Sequence, residues 1–288
     1  MEYYAVRSKR RVRKDRRLDM SIKNYFLTGD CHGKVLERLA NLPDNCAPAE
    51  TALIILGDAG LNFYLNRTDW KNKHNINNTG YRIYCLRGNH EERPENIFTD
   101  QMWDNDIDGG VYYEPEFPNI RYLFDGDVYK FDGYSVLTIG GAYSVDKWFR
   151  LDGRPENTDL WTGWFKDEQL TPKEMAEISG WCAGKKFDFV FTHTCPISWE
   201  PRDLFLPMIN QDTVDKTMEN WLEDVKDSID WGIWCFGHYH QDRLERPYVE
   251  QYYKDVEEIK TIYKRWQKYR ESGELYWWLQ KSPNFYMR

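Results

Sequence analysis

From Tyr25 onward the chain reads as short apolar runs, each closing in a polar cluster that contains glycine. Five share this form: NYFLTGDCHG at 24–33, TALIILGDAG at 51–60, YRIYCLRGNHE at 81–91, FDFVFTHTCP at 187–196 and GIWCFGHYH at 232–240. Apolar runs of this length, ended by Gly and polar residues, predict buried strands that pass into loops. The polar cluster follows the strand every time, and the C-terminal ends of strands are where open α/β sheets place their ligands. Five loops are therefore expected to meet along one edge.

Between the first two runs, GKVLERLANLP sets Val35, Leu36, Leu39 and Leu42 on one helical face ahead of Pro43, which predicts a crossover helix. Its free N–H groups would favour a phosphate beside GDCHG. Residues 119–144 alternate strand-like runs with Asp-Gly turns, so a β-meander or hairpin pair is expected there, and with it a second sheet. Helices are expected over 161–180, with Pro172 in the first turn after Thr171, over 212–228 through Val214, Met218, Trp221, Leu222 and Val225, and over 255–270. No repeat, linker or low-complexity boundary interrupts the pattern. The expectation is one α/β domain over 21–288 with a C-terminal helical and aromatic extension, behind a basic leader at 1–20 expected to be disordered.

Charge sharpens the division. The net charge is −8, yet residues 1–19 hold eight Lys/Arg against three Asp/Glu, which leaves −13 on the rest. An acidic body of that kind is not a general nucleic-acid binder. The leader RSKRRVRKDRR is either an arm suited to nucleic acid or a solvated tail, and Met20 is an alternative start. No stretch has the length of a membrane helix and no secretory apolar core stands at the N-terminus, so no membrane partner and a cytoplasmic location are expected. The six cysteines are scattered without a C-x-x-C pair and read as reduced thiols.

Five of the six histidines, His32, His90, His193, His238 and His240, fall in the five loops, together with Asp30, Asp58 and Asn89. His238 and His240 stand two apart, and side chains at i and i+2 of an extended segment point to one side, so both are expected to aim at one place. A buried structural histidine explains any single case; it does not explain eight metal-competent side chains recurring at one structural position in five loops. His74, in NKHNINN, has no such partners and reads as a surface residue.

In this order, GDCHG, LGDAG, LRGNHE, FTHT and FGHYH resemble the five signature motifs of the calcineurin-like metallophosphoesterase superfamily. The resemblance spans residues 29–240 and implies a sandwich of two β-sheets flanked by helices, with a two-metal centre at the strand ends. It implies Asp30, His32 and His240 as ligands of a first metal, Asp58 as a bridging carboxylate, and Asn89, His193 and His238 as ligands of a second. The donor set mixes carboxylate, amide oxygen and imidazole, which suits two divalent ions such as Mn²⁺, with Fe, Zn²⁺ or Mg²⁺ as alternatives, better than it suits thiolate-bound structural zinc. Cys31 and Cys195 adjoin ligands but are not expected to coordinate. His90 matches the catalytic histidine, expected to protonate the leaving oxygen or to hydrogen-bond the phosphoryl group.

The function implied is hydrolysis of phosphate esters by in-line attack of a hydroxide that the two metals activate, without a covalent enzyme intermediate. Arg87 resembles the arginine of the phosphoprotein phosphatases and is expected to support its loop or touch substrate. Those phosphatases also carry DRG after the bridging aspartate, where this chain has GDAGLNF, leaving Asn62 as a residue that could orient something there. Lys147 and Arg150 in GGAYSVDKWFR are candidate substrate clamps or surface charges. A phosphatase acting on a phosphorylated substrate leads. A phosphodiesterase or nuclease is the alternative, drawing on the leader and on Trp266, Tyr269, Trp277 and Trp278 as base-stacking residues. A non-catalytic scaffold of the same fold is a third reading.

Overall fold

The computed structural model describes residues 22–98, 100–151 and 163–272. The leader, Trp277 and Trp278 lie outside the described residues. The first three apolar runs form β1 (Asn24–Thr28), β2 (Thr51–Ile55) and β3 (Arg82–Cys85), joined through the helices α1 (Val35–Leu39) and α2 (Arg67–Asn77). Next come α3 (Pro94–Ile97), β4 (Gln101–Asp104), β5 (Gly109–Tyr112), β6 (Ile120–Leu123), β7 (Asp127–Phe131), β8 (Tyr134–Ile139) and α4 (Lys147–Leu151). The last two motif runs are β9 (Lys186–Thr192) and β10 (Asp230–Phe236), each preceded by a helix, α5 (Pro172–Cys182) and α6 (Thr217–Ser228). The described chain closes with β11 (Arg243–Arg246), β12 (Val249–Gln251), β13 (Glu257–Glu258) and α7 (Ile259–Ser272).

Two mixed sheets result, one of seven strands ordered β13-β1-β2-β3-β6-β5-β4 and one of six ordered β11-β12-β10-β9-β8-β7. The five motif strands are divided between them. β1, β2 and β3 are parallel neighbours in the first sheet, and β9 and β10 are parallel neighbours in the second. The register explains why the runs look uniformly apolar. Leu27, Ile54 and Tyr84 stand in register and face a core shared with Phe131, Phe189 and Phe191 of the second sheet. Their neighbours Phe26, Leu53, Ile55 and Ile83 face the opposite way, against Val35 of α1 and Ile76 of α2. On the far side of the second sheet, Val190 and Trp234 pack with Ile178 of α5 and Leu222 of α6. Each such side chain contributes about 1.5–3 kcal/mol by leaving water. Because both faces are covered, alternation carries no polar beat. The fold is an α/β sandwich of two sheets flanked by helices.

Several boundaries differ from expectation. The segment 119–144 does not form one meander: β6 belongs to the first sheet and the β7–β8 hairpin to the second. The helix expected over 161–180 begins only at Pro172, where Thr171 and Glu174 form a reciprocal cap. Upstream of it, the carbonyls of Asp167, Glu168 and Gln169 accept from Arg93, Arg87 and Arg93, so they are taken by side chains instead of helical N–H groups. The helix expected over 212–228 starts at Thr217, which leaves Val214 outside it. Trp266 is fully buried on the inner face of α7 and so is not available to stack a base, while Tyr269 is half-buried and packs on the same core. Among the described residues no helix is long and apolar enough to cross a membrane, and all six cysteines are free thiols.

Candidate metal centre

The five loops converge because three leave one sheet and two leave the other at the same end. Asp30 and His32 follow β1, Asp58 follows β2, Asn89 and His90 follow β3, His193 follows β9, and His238 and His240 follow β10. Side-chain atoms of Asp30, His32 and His240 gather within 4.8 Å of one another, and so do those of Asp30, Asp58 and His193. The groups share Asp30, which makes them adjacent. Backbone strain marks the same place: His32, Asp58, His238 and His240 all hold positive φ, at 45°, 49°, 71° and 55°. Left-handed backbone costs a non-glycine residue about 1–2 kcal/mol and persists where surrounding structure enforces it.

Asp30 and Asp58 are buried, and each spends one oxygen on a backbone donor. His238 N–H donates to Asp30 Oδ1 at 2.8 Å, and His90 N–H donates to Asp58 Oδ1 at 2.8 Å. The other oxygen of each, Oδ2, has no hydrogen-bond partner. Asp30 Oδ2 lies 3.2 Å from His240 Nε2 and 3.8 Å from His32 Nε2, while Asp58 Oδ2 lies 3.9 Å from His32 Nε2 and 3.7 Å from His193 Nε2. Asp58 thus faces both halves. Burial alone would raise both carboxyls, but it is outweighed. His240 and His193 hold Asp30 below the usual carboxylate range, and His193, His90 and His32 do the same for Asp58. Two ionised carboxylates aim their second oxygens at the surrounding imidazoles.

The imidazoles make the same demand. His32 Nε2 and His240 Nε2 stand 2.9 Å apart. That is the spacing of neighbouring ligands on one ion when each sits about 2.0–2.1 Å from it. Fully buried His193 has Nδ1 2.7 Å from the Leu56 carbonyl and Nε2 2.8 Å from Asn89 Oδ1. Asn89 Nδ2 donates to Ser144 Oγ at 2.8 Å, which fixes the amide oxygen toward the ring. Both ring nitrogens of His193 therefore face acceptors, and a neutral imidazole has one N–H. A second proton or a shared cation satisfies the arrangement, and the bare carboxylate oxygens beside it fit a cation. The residues present accordingly suit divalent metal on both sides of Asp58.

His238 does not aim at one place with His240, as strand alternation alone would have it. Its ring lies against His193, centroids 5.0 Å apart, outside both tight groups, and burial followed by the His193 charge pushes its imidazole down to about 3. The two histidines of GHYH do not point together by strand alternation, because β10 ends at Phe236 and both residues are left-handed. One ring goes to each half.

His90 stands beside the groups, its ring 5.5 Å from His32 and 6.4 Å from Phe63. Burial lowers its pKa, the Asp58 charge opposes this, and Arg150 adds to the lowering. Arg150 is thus a neighbour of His90; it also pairs with Asp146 at 2.7 Å and lies over Phe63 at 5.9 Å. The Lys147 ammonium sits over Trp164 at 4.3 Å, occupied by an aromatic face. Of the two roles open to Arg87, support of its loop or contact with substrate, the geometry matches the first: its buried guanidinium donates to Asp125 Oδ2, Glu168 O and Gly140 O, bracing the loops behind Asn89. Asn62 is buried and His74 stacks on Trp70 at the surface. Cys31 Sγ faces Gly29 O and Cys195 Sγ faces the Tyr239 hydroxyl, and neither joins a ligand group.

Sequence reasoning missed the supports. Ser144, which orients Asn89, sits in the GGAYSVDKWFR loop after β8, where only Lys147 and Arg150 drew notice, and Gly88 is needed because a Cβ there would fall 1.9 Å from Asp58 Oδ1. Glu91 accepts from Gly88 N–H, and burial, reinforced by the Asp58 charge, raises it to about 8. The motif glycines and GNHE were visible signals for the last two, whereas Ser144 had none.

A family model described as calcineurin-like phosphoesterase matches residues 24–242. No curated protein matches the chain. Its match covers most of the chain and takes in every ligand candidate, so the chain belongs to the calcineurin-like phosphoesterase family, whose members use divalent metals.

Proposed function

We propose that this chain is a phosphatase that hydrolyses phosphate monoesters with two divalent cations, Mn²⁺ first among them. One cation would be held by Asp30, His32 and His240 and the other by Asn89, His193 and His238, with Asp58 facing both. When bound, such a pair lowers the pKa of water and neutralises charge on phosphoryl oxygens. The observation that carries the reading is the pair of buried, unpartnered oxygens, Asp30 Oδ2 and Asp58 Oδ2, set among imidazole nitrogens at 3.2–3.9 Å.

The residues around them divide the remaining work. His90, tethered through its own N–H to Asp58, presents its ring at the edge of the pocket. Its lowered pKa keeps the imidazole neutral near pH 7, and a neutral ring still has one N–H to give a phosphoryl oxygen. Hydrogen-bond donation is thus the role the direction of the shift favours over proton transfer. Arg150 adds positive charge beside His90, where it would favour a phosphate dianion. The preference for a phosphatase over a nuclease is supported by the acidic body, −8 for the whole chain less the +5 of residues 1–19, or −13, which repels long nucleic acid.

A panel of p-nitrophenyl phosphate, bis-p-nitrophenyl phosphate, nucleotides, phosphopeptide and DNA, run with Mn²⁺, Mg²⁺, Zn²⁺ and EDTA, tests the reading. Mn²⁺-dependent cleavage of the monoester that EDTA abolishes is the expected result. Faster cleavage of the diester or of DNA would move the chain to the phosphodiesterase reading. Absence of metal-dependent hydrolysis throughout would overturn the enzyme assignment.

A further inference from the structure

The two outer imidazoles lack the support that orients His193. A metal-binding histidine ordinarily donates its second ring N–H to a carbonyl or carboxylate, which sets the ring's angle. His193 follows that rule through Leu56 O. The hydrogen bond and short carboxylate contact of His240 run instead through Nε2, the atom aimed at the ion, to His32 and Asp30, and no bond from Nδ1 is found among the described residues. Its side chain is also 47% exposed. Something else must hold the ring.

Tyr253 lies flat on it. The rings are stacked with centroids 4.8 Å apart and planes 21° from parallel. The tyrosine is itself fixed on several sides. Its N–H donates to Asp242 Oδ1 at 2.6 Å, and the next two N–H groups, of Lys254 and Asp255, donate to the same carboxylate at 3.0 Å. The preceding Tyr252 carbonyl packs so close to Gly29 that a Cβ there would fall 2.0 Å from its oxygen. Arg38 sets its guanidinium 5.7 Å from the Tyr253 ring centre while donating to Asp30 O at 3.0 Å. His240, Tyr253 and Arg38 therefore tie the last motif loop to the helix that follows the first. Tyr253 lies beyond residue 242, where the family match ends.

We propose that Tyr253 is a positioning residue for His240, fixing that ring by stacking and so setting the affinity of the ion held by Asp30, His32 and His240. This rests on the two-ion reading above. The ring face does the work; the hydroxyl is dispensable. The companion ion, held by residues that burial and hydrogen bonds orient, is independent of it.

The test is Mn²⁺ titration of the full chain by calorimetry, with the melting temperature of the metal-free protein as a check on folding. Wild type takes up two ions. Tyr253→Phe keeps both affinities, whereas Tyr253→Leu weakens one of the two sites by about 10–100-fold, the range for loss of a ligand's outer support, with an unchanged metal-free melting temperature. Tyr253→Met gives the same reading should the leucine chain not fold. Unchanged affinities in the unstacked variants, equal weakening of both ions, or a phenylalanine variant as weak as leucine would overturn the proposal while leaving the two-ion reading intact. Wild-type protein that takes up no Mn²⁺ would overturn both.

Discussion

The two halves of the centre are built by different means. Asn89 and His193 are buried and held by hydrogen bonds, Leu56 O on one ring nitrogen of His193 and Ser144 Oγ on the amide of Asn89, with the His238 ring packed alongside. Around His32 and His240 the side chains are 36% and 47% exposed, and orientation comes from left-handed backbone and a stacked ring. The first half is held by the core beneath it and the second by loops beside it. A site assembled this way has a rigid floor and an adjustable rim, and disturbing each should have separable consequences.

The largest effect is expected where the halves join. Asp58→Asn removes a buried carboxylate that faces His32 on one side and His193 on the other, so metal content and turnover should fall together. The loss should exceed the roughly 10–100-fold typical of an outer-shell change, as elemental analysis and p-nitrophenyl phosphate hydrolysis would register. Turnover with undiminished metal would dissolve the idea that Asp58 links the halves. His90 lies outside both groups, so His90→Ala should retain metal while turnover drops by about 10²–10³-fold, the range for loss of a single hydrogen-bond donor to a charged transition state. Metal loss in that variant would place His90 inside the centre instead of at its edge.

A third test separates the floor by its chemistry. Below His193, the Tyr239 hydroxyl, Thr194 Oγ1 and Glu219 form a chain of contacts, with Thr194 donating to Glu219 Oε1 at 2.8 Å. Burial lifts Glu219 from 4.5 to about 7, against the Thr194 hydrogen bond. The folded state then holds that proton more tightly than the unfolded chain, so stability present below about pH 4.5 is lost as pH rises toward 7. The shift corresponds to up to about 3 kcal/mol. Glu219→Gln should flatten that part of the pH dependence in urea titrations at pH 5 and pH 8; an unaltered slope would show that Glu219 titrates as an ordinary carboxylate. The smallest change expected is in Ser144→Ala, which frees the Asn89 amide and should cost about 10–100-fold in affinity for the floor ion alone. Equal weakening of both ions would argue against separable halves.

How far the sequence reached follows the same division. The strands of both sheets that carry motifs were legible, since a buried strand needs a continuous apolar run and a loop needs its glycine. Asp30, His32, Asp58, Asn89, His193, His238 and His240 were readable as a set because chemistry of one kind recurs at one position relative to those strands. For Arg87 the sequence left loop support and substrate contact undivided: its acceptors, Asp125, Gly140 and Glu168, are distant in sequence, and a basic residue beside a ligand reads alike whether it is braced or free. The late start of α5 escaped for a similar reason, since the arginines that occupy the preceding carbonyls come from the loop after β3.

The one-dimensional pattern by itself determined which residues could be ligands and that they stand at strand ends, because residue type and hydrophobic periodicity are local properties of the chain. Only the tertiary structure decided at what distances Asp58 faces His32 and His193, and that Ser144 and Tyr253 lie against two of the ligand candidates. Those are matters of angle and distance between segments far apart in sequence. They are set by the packing of two sheets against each other, and by a last strand and loop folding back onto the first.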